Sequence, residues 1–292
     1  MKIVVTGATG FLGSRLVRAL LKSGHTPVVL KRSFSDLGRI RDLLPALMAY
    51  DIDLCGLQFP FREVGSIEAV IHCATCYGRK GESASEVLES NLLFPLRLME
   101  AAIESGVPHF INTDTCLDRS ISAYALGKKQ FSEWGQHFSE LQRIRFVNIM
   151  LEHFYGPGDD PSKFTSHVIR SCIRNISELK LTKGDQKRDF VYIDDVVAAY
   201  LVLLGALPVS NETYQEYPLG SGVSVSVRDF VQTVYAITGS TTELKFGAVP
   251  YRQNELMDSC ADIRRLAALG WLPRVSLVEG VAATVSYEMA HV

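Results

Sequence analysis

Nothing in this sequence provides for a membrane span or a metal centre. No apolar run reaches the roughly 18 residues needed to cross a bilayer. Cysteine is sparse, six in 292 residues, at positions 55, 73, 76, 116, 172 and 260. That scatter excludes a small disulfide-stapled scaffold and suits reduced thiols in the cytoplasm. Cys73 and Cys76 make a single Cys-x-x-Cys with no second pair and no His-x₃₋₅-His, so we read two small residues at a strand end and no zinc site. Neither sign of charge dominates. The net charge is −2, which removes the electrostatic case for nucleic acid or an anionic membrane as a partner. No internal repeat, low-complexity tract or disordered linker appears. The first residues run directly into a core-type strand, so a cleaved signal peptide is not expected. With 47% hydrophobic and 21% charged residues, the composition is that of a globular chain able to bury a large core.

What is present is organised around its first thirty-two residues. Lys2 to Thr6 reads as a short buried strand. Gly7-Ala-Thr-Gly10-Phe-Leu-Gly13 follows at once. Phe11 to Lys22 carries apolar residues at helical spacing, and Thr26 to Arg32 reads as a second strand. Strand, glycine turn, helix and strand form the setting of a dinucleotide-binding loop. Gly7 permits the tight turn, Gly10 lets the backbone approach a pyrophosphate, and Gly13 lets the helix pack close to the strand. The helix N-terminus then offers amide groups and a partial positive charge to phosphate.

The end of the second strand bears on which dinucleotide binds. A sheet that binds NAD usually places a carboxylate there, against the ribose 2′-OH, and one that binds NADP places an arginine near the 2′-phosphate. Here the strand ends in Lys31-Arg32, with Ser33 and Ser35 after it and no acid until Asp36. We expect NADP(H).

Farther along, helical and strand-like stretches alternate, which predicts an α/β protein with a parallel sheet. Asp36 to Met48 reads as a helix. Ala49 to Asp53 reads as a short strand whose Asp51 is either a contact to an adenine amino group or a surface carboxylate. Ala69 to Thr75 is a buried strand whose small residues Cys73, Ala74 and Thr75 let a cofactor lie close. Ser85 to Ser105 reads as a helix kinked by Pro95, with Asn91 satisfying the backbone groups freed at the kink. His109 to Thr115 is a strand with hydroxyl and carboxylate side chains at its carboxyl end, where ligands of parallel sheets bind. Ser122 opens a helix to about Leu141. On it Tyr124 and Lys128, four residues apart, share one face. An ammonium beside the phenol, with the positive ring of an oxidised nicotinamide, is expected to favour phenolate and bring Tyr124 into range as an acid or base. Thr115 is placed to hold a substrate oxygen.

The glycine turn, a threonine at a later strand end and Tyr-x-x-x-Lys together resemble the extended short-chain dehydrogenase/reductases that act on nucleotide sugars. The likeness extends to Phe154-Tyr-Gly-Pro-Gly158, Arg188-Asp-Phe-Val-Tyr-Ile-Asp-Asp195 and Tyr217-Pro-Leu-Gly-Ser-Gly222. Within that family, the stretch Asn148 to Asp159, Lys163-Phe164 and the Asn-Thr-Asp-Thr strand end are similar to those of the CDP-abequose and CDP-paratose synthases, NADPH-dependent reductases of a CDP-4-keto-deoxyhexose. The resemblance implies a Rossmann-type doubly wound parallel sheet over 1–153 and a smaller C-terminal α/β substrate lobe, mostly 154–292, with the chain crossing between lobes. It makes Tyr124 the proton donor, Lys128 its partner and ribose anchor, and Thr115 the third member, with Thr113 the alternative. It assigns the cofactor to Gly7, Thr9, Gly10, Phe11, Leu12, Gly13, Lys31, Arg32, Asp51, Ile52, Cys73, Ala74, Thr75, Asn91, Thr113, Leu151 and His153, besides Tyr124 and Lys128. It assigns the substrate to Thr75, Thr115, Glu152, Lys163, Phe164, Arg188, Arg252 and Glu255. Arg252 is the family's grip on the nucleotide diphosphate, and an arginine fork suits phosphate geometry. A homodimer through the Pro95 and Tyr124 helices is also implied.

In the second half, Pro161 to Asn175 reads as a helix opening at Ser162. Ser177 to Thr182, Arg188 to Ile193 and Thr241 to Val249 read as strands. Asp194 is expected to cap a helix through Leu204. Helices over Ser226 to Thr238, Asp262 to Leu269 and from Val275 close the chain. Three functions stand: a reductase that consumes NADPH, a 4-epimerase that keeps NAD bound, and a non-catalytic NADP sensor. Dehydratases of the family place Asp-Glu after the strand-end threonine, where this chain has Cys116-Leu117. A sensor has no chemical need for Tyr124 and Lys128.

Overall fold

The computed structural model describes residues 1–253 and 255–291. In chain order the elements are β1 (Lys2–Thr6), α1 (Phe11–Lys22), β2 (Thr26–Lys31), β3 (Met48–Asp51), α2 (Ile52–Cys55), α3 (Gln58–Val64), β4 (Ala69–His72), α4 (Ala84–Leu88), α5 (Phe94–Glu104), β5 (His109–Thr115), α6 (Ala123–Glu140) and β6 (Arg145–Leu151). The second half adds β7 (His153–Tyr155), α7 (Phe164–Ile173), β8 (Glu178–Leu181), β9 (Lys187–Tyr192), α8 (Ile193–Ala206), β10 (Tyr214–Leu219), β11 (Ser224–Ser226), α9 (Val227–Thr238), β12 (Glu243–Phe246), α10 (Arg264–Ala268) and α11 (Leu277–His291). Among the described residues no helix is long and apolar enough to cross a membrane.

The chain divides into two compact units, 1–150 with 200–217, and 151–199 with 218–292. The first carries a seven-stranded sheet in the order β10-β6-β5-β4-β1-β2-β3. The pairs β1/β2, β1/β4, β2/β3 and β4/β5 are parallel. This is the Rossmann-type doubly wound sheet, and its strand order reverses beside β1, where such sheets bind ligands. The apolar stripes of the helices bury against it. Phe110 of β5, Phe131 of α6 and Phe146 of β6 meet with ring centroids 5.7–5.8 Å apart. Gly135 of α6 is what lets the helix come so close, since a Cβ there would lie 2.3 Å from the Phe146 ring.

The second unit has a three-stranded sheet β11-β9-β7 and a two-stranded sheet β12-β8. Tyr155, Phe190 and Phe230 form its aromatic centre, with Phe190 stacked on Phe230 at 4.4 Å. Asp189 is fully buried and is satisfied by the amides of Ser221 (2.6 Å), Gly222 (3.0 Å) and Ala261 (3.1 Å) and by the Ser221 hydroxyl (2.6 Å).

Several local expectations are corrected. The Asp36 to Met48 helix is a 3₁₀ stretch over Gly38–Ala46 with Pro45 inside, whose ring supplies no amide for an α-helix. The strand expected over Ala49 to Asp53 ends at Asp51, and Ile52 begins a single turn. The helix expected from Pro161 starts at Phe164, because Asp160 accepts the Ser162 amide (2.8 Å) and holds a turn. Asp194 lies inside the first turn of α8 and is no N-cap. Its neighbour Asp195 is buried and accepts the amides of Arg274 and Val275, both at 3.0 Å. The interruption expected at Pro95 is present, one turn earlier in the chain and as a π turn. A π turn over Glu89–Leu93 separates α4 from α5, and the proline falls in the first turn of α5, where its missing amide costs least.

The close approach at Gly135 gives a direct test. Gly135→Ala overpacks the aromatic triangle and lowers stability by about 1–3 kcal/mol, read as an earlier midpoint in urea unfolding.

Candidate active site

The turn between β1 and α1 is built by exclusion of side chains. Gly7 has φ +67°, and a Cβ on it would lie 2.6 Å from the Ala74 amide nitrogen. A Cβ on Gly13 would lie 2.1 Å from the Gly7 carbonyl oxygen. Gly10 differs: its added Cβ meets only the Gly7 oxygen, at 3.1 Å, so its outer face is open. Gly10 is the N-cap of α1 and has no side chain to cap it. Thr9 and Phe11 flank this opening, half-buried, and Leu12 packs inward. The turn is a cradle that a Cβ would fill, with a helix N-terminus aimed into it, which fits a pyrophosphate.

At the end of β2, tertiary structure supplies the acids that are absent from the local sequence. Lys31 pairs with Asp51 of the adjacent β3. Asp53 accepts the Ser33 amide at 2.8 Å and the Ser33 hydroxyl at 2.6 Å. Arg32 is exposed with its guanidinium 4.7 Å above the Phe34 ring. Of the two cations expected to meet a 2′-phosphate, one is therefore committed to a carboxylate. Asp51, expected near adenine, is its partner, and Ile52 follows it into α2.

After β4, Thr6 Oγ1 accepts the Ala74 amide (3.3 Å) and bonds His72 Nδ1 (2.8 Å). Burial holds His72 well below its ordinary range and so uncharged. Asn91, fully buried in the π turn, accepts the Thr75 hydroxyl (2.9 Å) and the Cys76 amide (3.0 Å) and donates to the Cys76 carbonyl (2.7 Å). It thus pins the loop after β4 and takes no part in repairing a proline kink, correcting that expectation. Tyr77 in this loop packs on Tyr124 with ring centroids 5.0 Å apart, and Arg79 stacks on Tyr77 at 4.8 Å.

The carboxyl end of β5 gathers the remaining groups. Ser122 caps α6 by accepting the Ala125 amide (3.2 Å), which starts the helix just before Tyr124. Thr115 Oγ1 accepts the Leu117 amide (3.2 Å) and is the hydroxyl that acts on Tyr124. Thr113 faces elsewhere. Its hydroxyl bonds Tyr200 OH (2.7 Å) and Cys73 Sγ (3.2 Å). Lys128 is buried and donates to the Thr113 carbonyl (2.8 Å). Burial drives the Tyr124 phenol well above its ordinary range, helped by Tyr77 and opposed by the Thr115 hydrogen bond. The phenolate is expected with the oxidised nicotinamide ring in place; in the protein by itself, burial is the larger influence on Tyr124. Burial also lowers the Lys128 ammonium to about 8.

The second unit holds the other expected residues. Leu151 is buried. Glu152 accepts the Ser259 hydroxyl at 2.6 Å, and His153 Nδ1 lies 3.5 Å from Glu152 Oε2. Lys163 pairs with Asp159 (3.1 Å) and sits 3.8 Å above the Phe154 ring. Phe164 is exposed. Arg188 is consumed by Glu255 and by the carbonyls of Lys187 and Leu256, both at 2.6 Å. Arg252 is exposed. The sequence reading missed Tyr77, Lys129, Asn148 and Tyr200 near the β5 end, and gave Asp114 no partner. The signal available there was polar residues at alternate positions, Asn112 and Asp114, on a strand otherwise apolar through Ile111.

A profile of the NAD dependent epimerase/dehydratase family matches residues 3–215. CDP-abequose synthase of Salmonella typhimurium is 35% identical, over 96% of this chain and 95% of that protein. UDP-glucose 4-epimerase of Mycolicibacterium smegmatis is 30% identical, over 98% of each. The crystal structure of the Thermus thermophilus UDP-glucose 4-epimerase, a complex with NAD, superposes with TM-score 0.85 at 25% identity, over 100% of both chains. The family match, the two sequence relatives and the strand order agree: the chain belongs to the NAD dependent epimerase/dehydratase family, the extended short-chain dehydrogenase/reductases that its motifs resemble.

Proposed function

We propose that this chain is an NADPH-dependent reductase of the 4-keto group of a nucleotide-activated, CDP-linked deoxyhexose, acting as a cytoplasmic homodimer in deoxysugar biosynthesis. The observation that carries the reading is the likeness, over nearly the whole chain, to CDP-abequose synthases, joined to Tyr124 and Lys128 on α6, where Lys128 reaches the Thr113 carbonyl near the end of β5 (2.8 Å). CDP-abequose synthases at 33–35% identity support the sugar and the base. The exposed Leu126 and Trp134 on α6 support the dimer face.

In this reading Gly7, Thr9, Gly10, Phe11, Leu12 and Gly13 hold the pyrophosphate. Lys31, Arg32, Asp51 and Ile52 meet the adenosine end. Cys73, Ala74, Thr75, Thr113 and Lys128 are assigned to the nicotinamide riboside, with Asn91 acting through the loop it pins, and Leu151 and His153 of the second unit are assigned to the cofactor as well. The bound reduced cofactor supplies a hydride. Thr115 orients the keto oxygen toward Tyr124, which gives it a proton, and Lys128 anchors a ribose while its charge steadies the phenol as the proton leaves. Glu152, Lys163, Phe164, Arg188, Arg252 and Glu255 are assigned to the substrate. Arg252 is the cation there that remains exposed.

One observation favours a second reading, a 4-epimerase that retains NAD. Asp51 neutralises Lys31, which leaves Arg32 as the cation offered to a 2′-phosphate at that strand end.

Purified protein given NADPH or NADH with CDP-, dTDP-, GDP- and UDP-4-keto-deoxy sugars is expected to oxidise NADPH with the CDP sugar. Oxidation with none of them, together with interconversion of a nucleotide hexose on tightly bound cofactor, selects the epimerase. Tyr124→Phe is expected to keep NADPH affinity and to lose about 10²- to 10⁴-fold in turnover; full turnover removes Tyr124 from the role of acid. The glycines separate by steric room. Gly10→Ala, whose Cβ meets the Gly7 oxygen at 3.1 Å, loses less stability than Gly13→Ala, whose Cβ meets it at 2.1 Å, and binds NADPH more weakly, on the order of tenfold. Calorimetry with and without NADPH reads both.

A further inference from the structure

None of the assigned roles uses the polar network behind the end of β5. Asn112 and Asp114 project to one side of the strand and are buried. The Asp114 carboxylate is fully paired. Its Oδ1 accepts the Thr115 amide (2.8 Å), and its Oδ2 accepts Lys129 Nζ (3.1 Å) and Asn148 Nδ2 (3.0 Å). Asn148 is held in turn by Asn112 Nδ2, which donates to its Oδ1 (2.8 Å). Lys129 also donates to the Thr115 carbonyl (2.6 Å), while the preceding Lys128 donates to the Thr113 carbonyl (2.8 Å). Two consecutive ammonium groups of α6 thus grip alternate carbonyls of the same strand end.

We propose that Asp114 and Lys129 are positioning residues for Thr115, Tyr124 and Lys128: Lys129 holds the Thr115 carbonyl and Asp114 the Thr115 amide, which together set the aim of the Thr115 hydroxyl, and the Asp114 carboxylate, on the residue after the carbonyl that Lys128 grips, is the counter-charge of that ammonium. This rests on the reading of those three residues as the reacting group. The surroundings of Lys128 identify the counter-charge. His72 and Cys73 of β4 and the residue after it, Asp114 of β5, Tyr200 of α8 through Thr113, and Tyr124 and Lys129 of α6 are the titratable groups about it. Burial leaves His72 uncharged, raises the Cys73 thiol to about 11, and raises the Tyr124 and Tyr200 phenols well above their ordinary range. The remaining members are the Asp114–Lys129 ion pair (3.1 Å), with Glu216 of β10 behind it on the Asn148 amide (3.4 Å). Burial pulls the Lys128 ammonium down to about 8, and Asp114 leads the groups opposing it. Activity that needs this ammonium is present below that value and lost as pH rises through it.

The test uses the full chain carrying ¹³C-labelled lysine, with the Lys128 signal identified by its loss in Lys128→Met. NMR titration of the Cε signals is expected to place the Lys128 midpoint at about 8 in the parent. In Asp114→Asn the midpoint falls by about one to three pH units. In Lys129→Met, which leaves the carboxylate unshared, it rises. The alkaline limb of kcat for NADPH-dependent 4-keto reduction follows Lys128 in both variants. Lys129→Met also lowers kcat by about 10- to 100-fold, with the KM for NADPH unchanged. A purely structural ion pair predicts lower melting temperatures with the Lys128 midpoint and the kcat limb unmoved, and that result overturns the proposal. If Asp114→Asn does not fold, the rise in Lys129→Met decides. If the parent reduces no 4-keto sugar, the reading of the site fails, and the Lys128 titration still decides whether Asp114 holds its charge.

Discussion

A lysine ammonium buried at the end of a sheet is the constraint on which the proposed chemistry of the first unit depends. Such a charge is tolerated only where acceptors and a counter-charge are already in place. Here they are backbone and neighbour: the Thr113 carbonyl accepts a hydrogen bond from Lys128, and Asp114 supplies the opposing charge. Neither can be in position unless α6 lies tightly along β5. That contact is set by Phe110, Phe131 and Phe146 and by the missing side chain of Gly135. Packing in the core thus sets the surroundings of Lys128 and, through the same helix, of Tyr124.

The same economy governs the other side of the sheet. Close approach of α1 to the β1 turn requires glycine at 13, and close approach of the loop after β4 requires it at 7, while a Cβ on Gly10 meets only the Gly7 oxygen, at 3.1 Å. Two of the three glycines in the motif serve the fold and one leaves room for a ligand. The loop after β4 closes against this turn because Thr6 holds Ala74 and Asn91 holds Thr75 and Cys76. The π turn that presents Asn91 is what a proline at the start of α5 permits: the preceding backbone rearranges and an amide is not lost from a helix interior.

Much of this is legible in the sequence where local chemistry decides the structure. The β1–α1–β2 run, strand β5 and the Ser122 cap of α6 fall where apolar periodicity, glycine spacing and a capping hydroxyl put them. What is illegible rests on partners distant in sequence. Asp51 neutralises Lys31 across adjacent strands, twenty residues on, so that a strand end of cationic sequence is half paired. Asp195 has the local look of the second member of a capping pair and instead holds amides 79 and 80 residues away. Arg188, a candidate for phosphate by sequence, is bound to Glu255, 67 residues later. The titration of Tyr124 escapes the sequence for a related reason. A four-residue helical spacing shows that Tyr124 and Lys128 share a face. It says nothing of the carbonyl that draws the ammonium aside or of the Tyr77 ring that covers the phenol.

The central claim is that reducing equivalents enter from a consumed cofactor and stay at C4 of the sugar. Incubation with NADPH deuterated at the transferable C4 position of the nicotinamide and a CDP-4-keto-deoxyhexose, followed by mass spectrometry and proton NMR of the product, tests it most directly. The account predicts one deuterium at C4 for each NADPH oxidised. Interconversion of sugar nucleotides with no deuterium at C4 and no net oxidation of NADPH would contradict it.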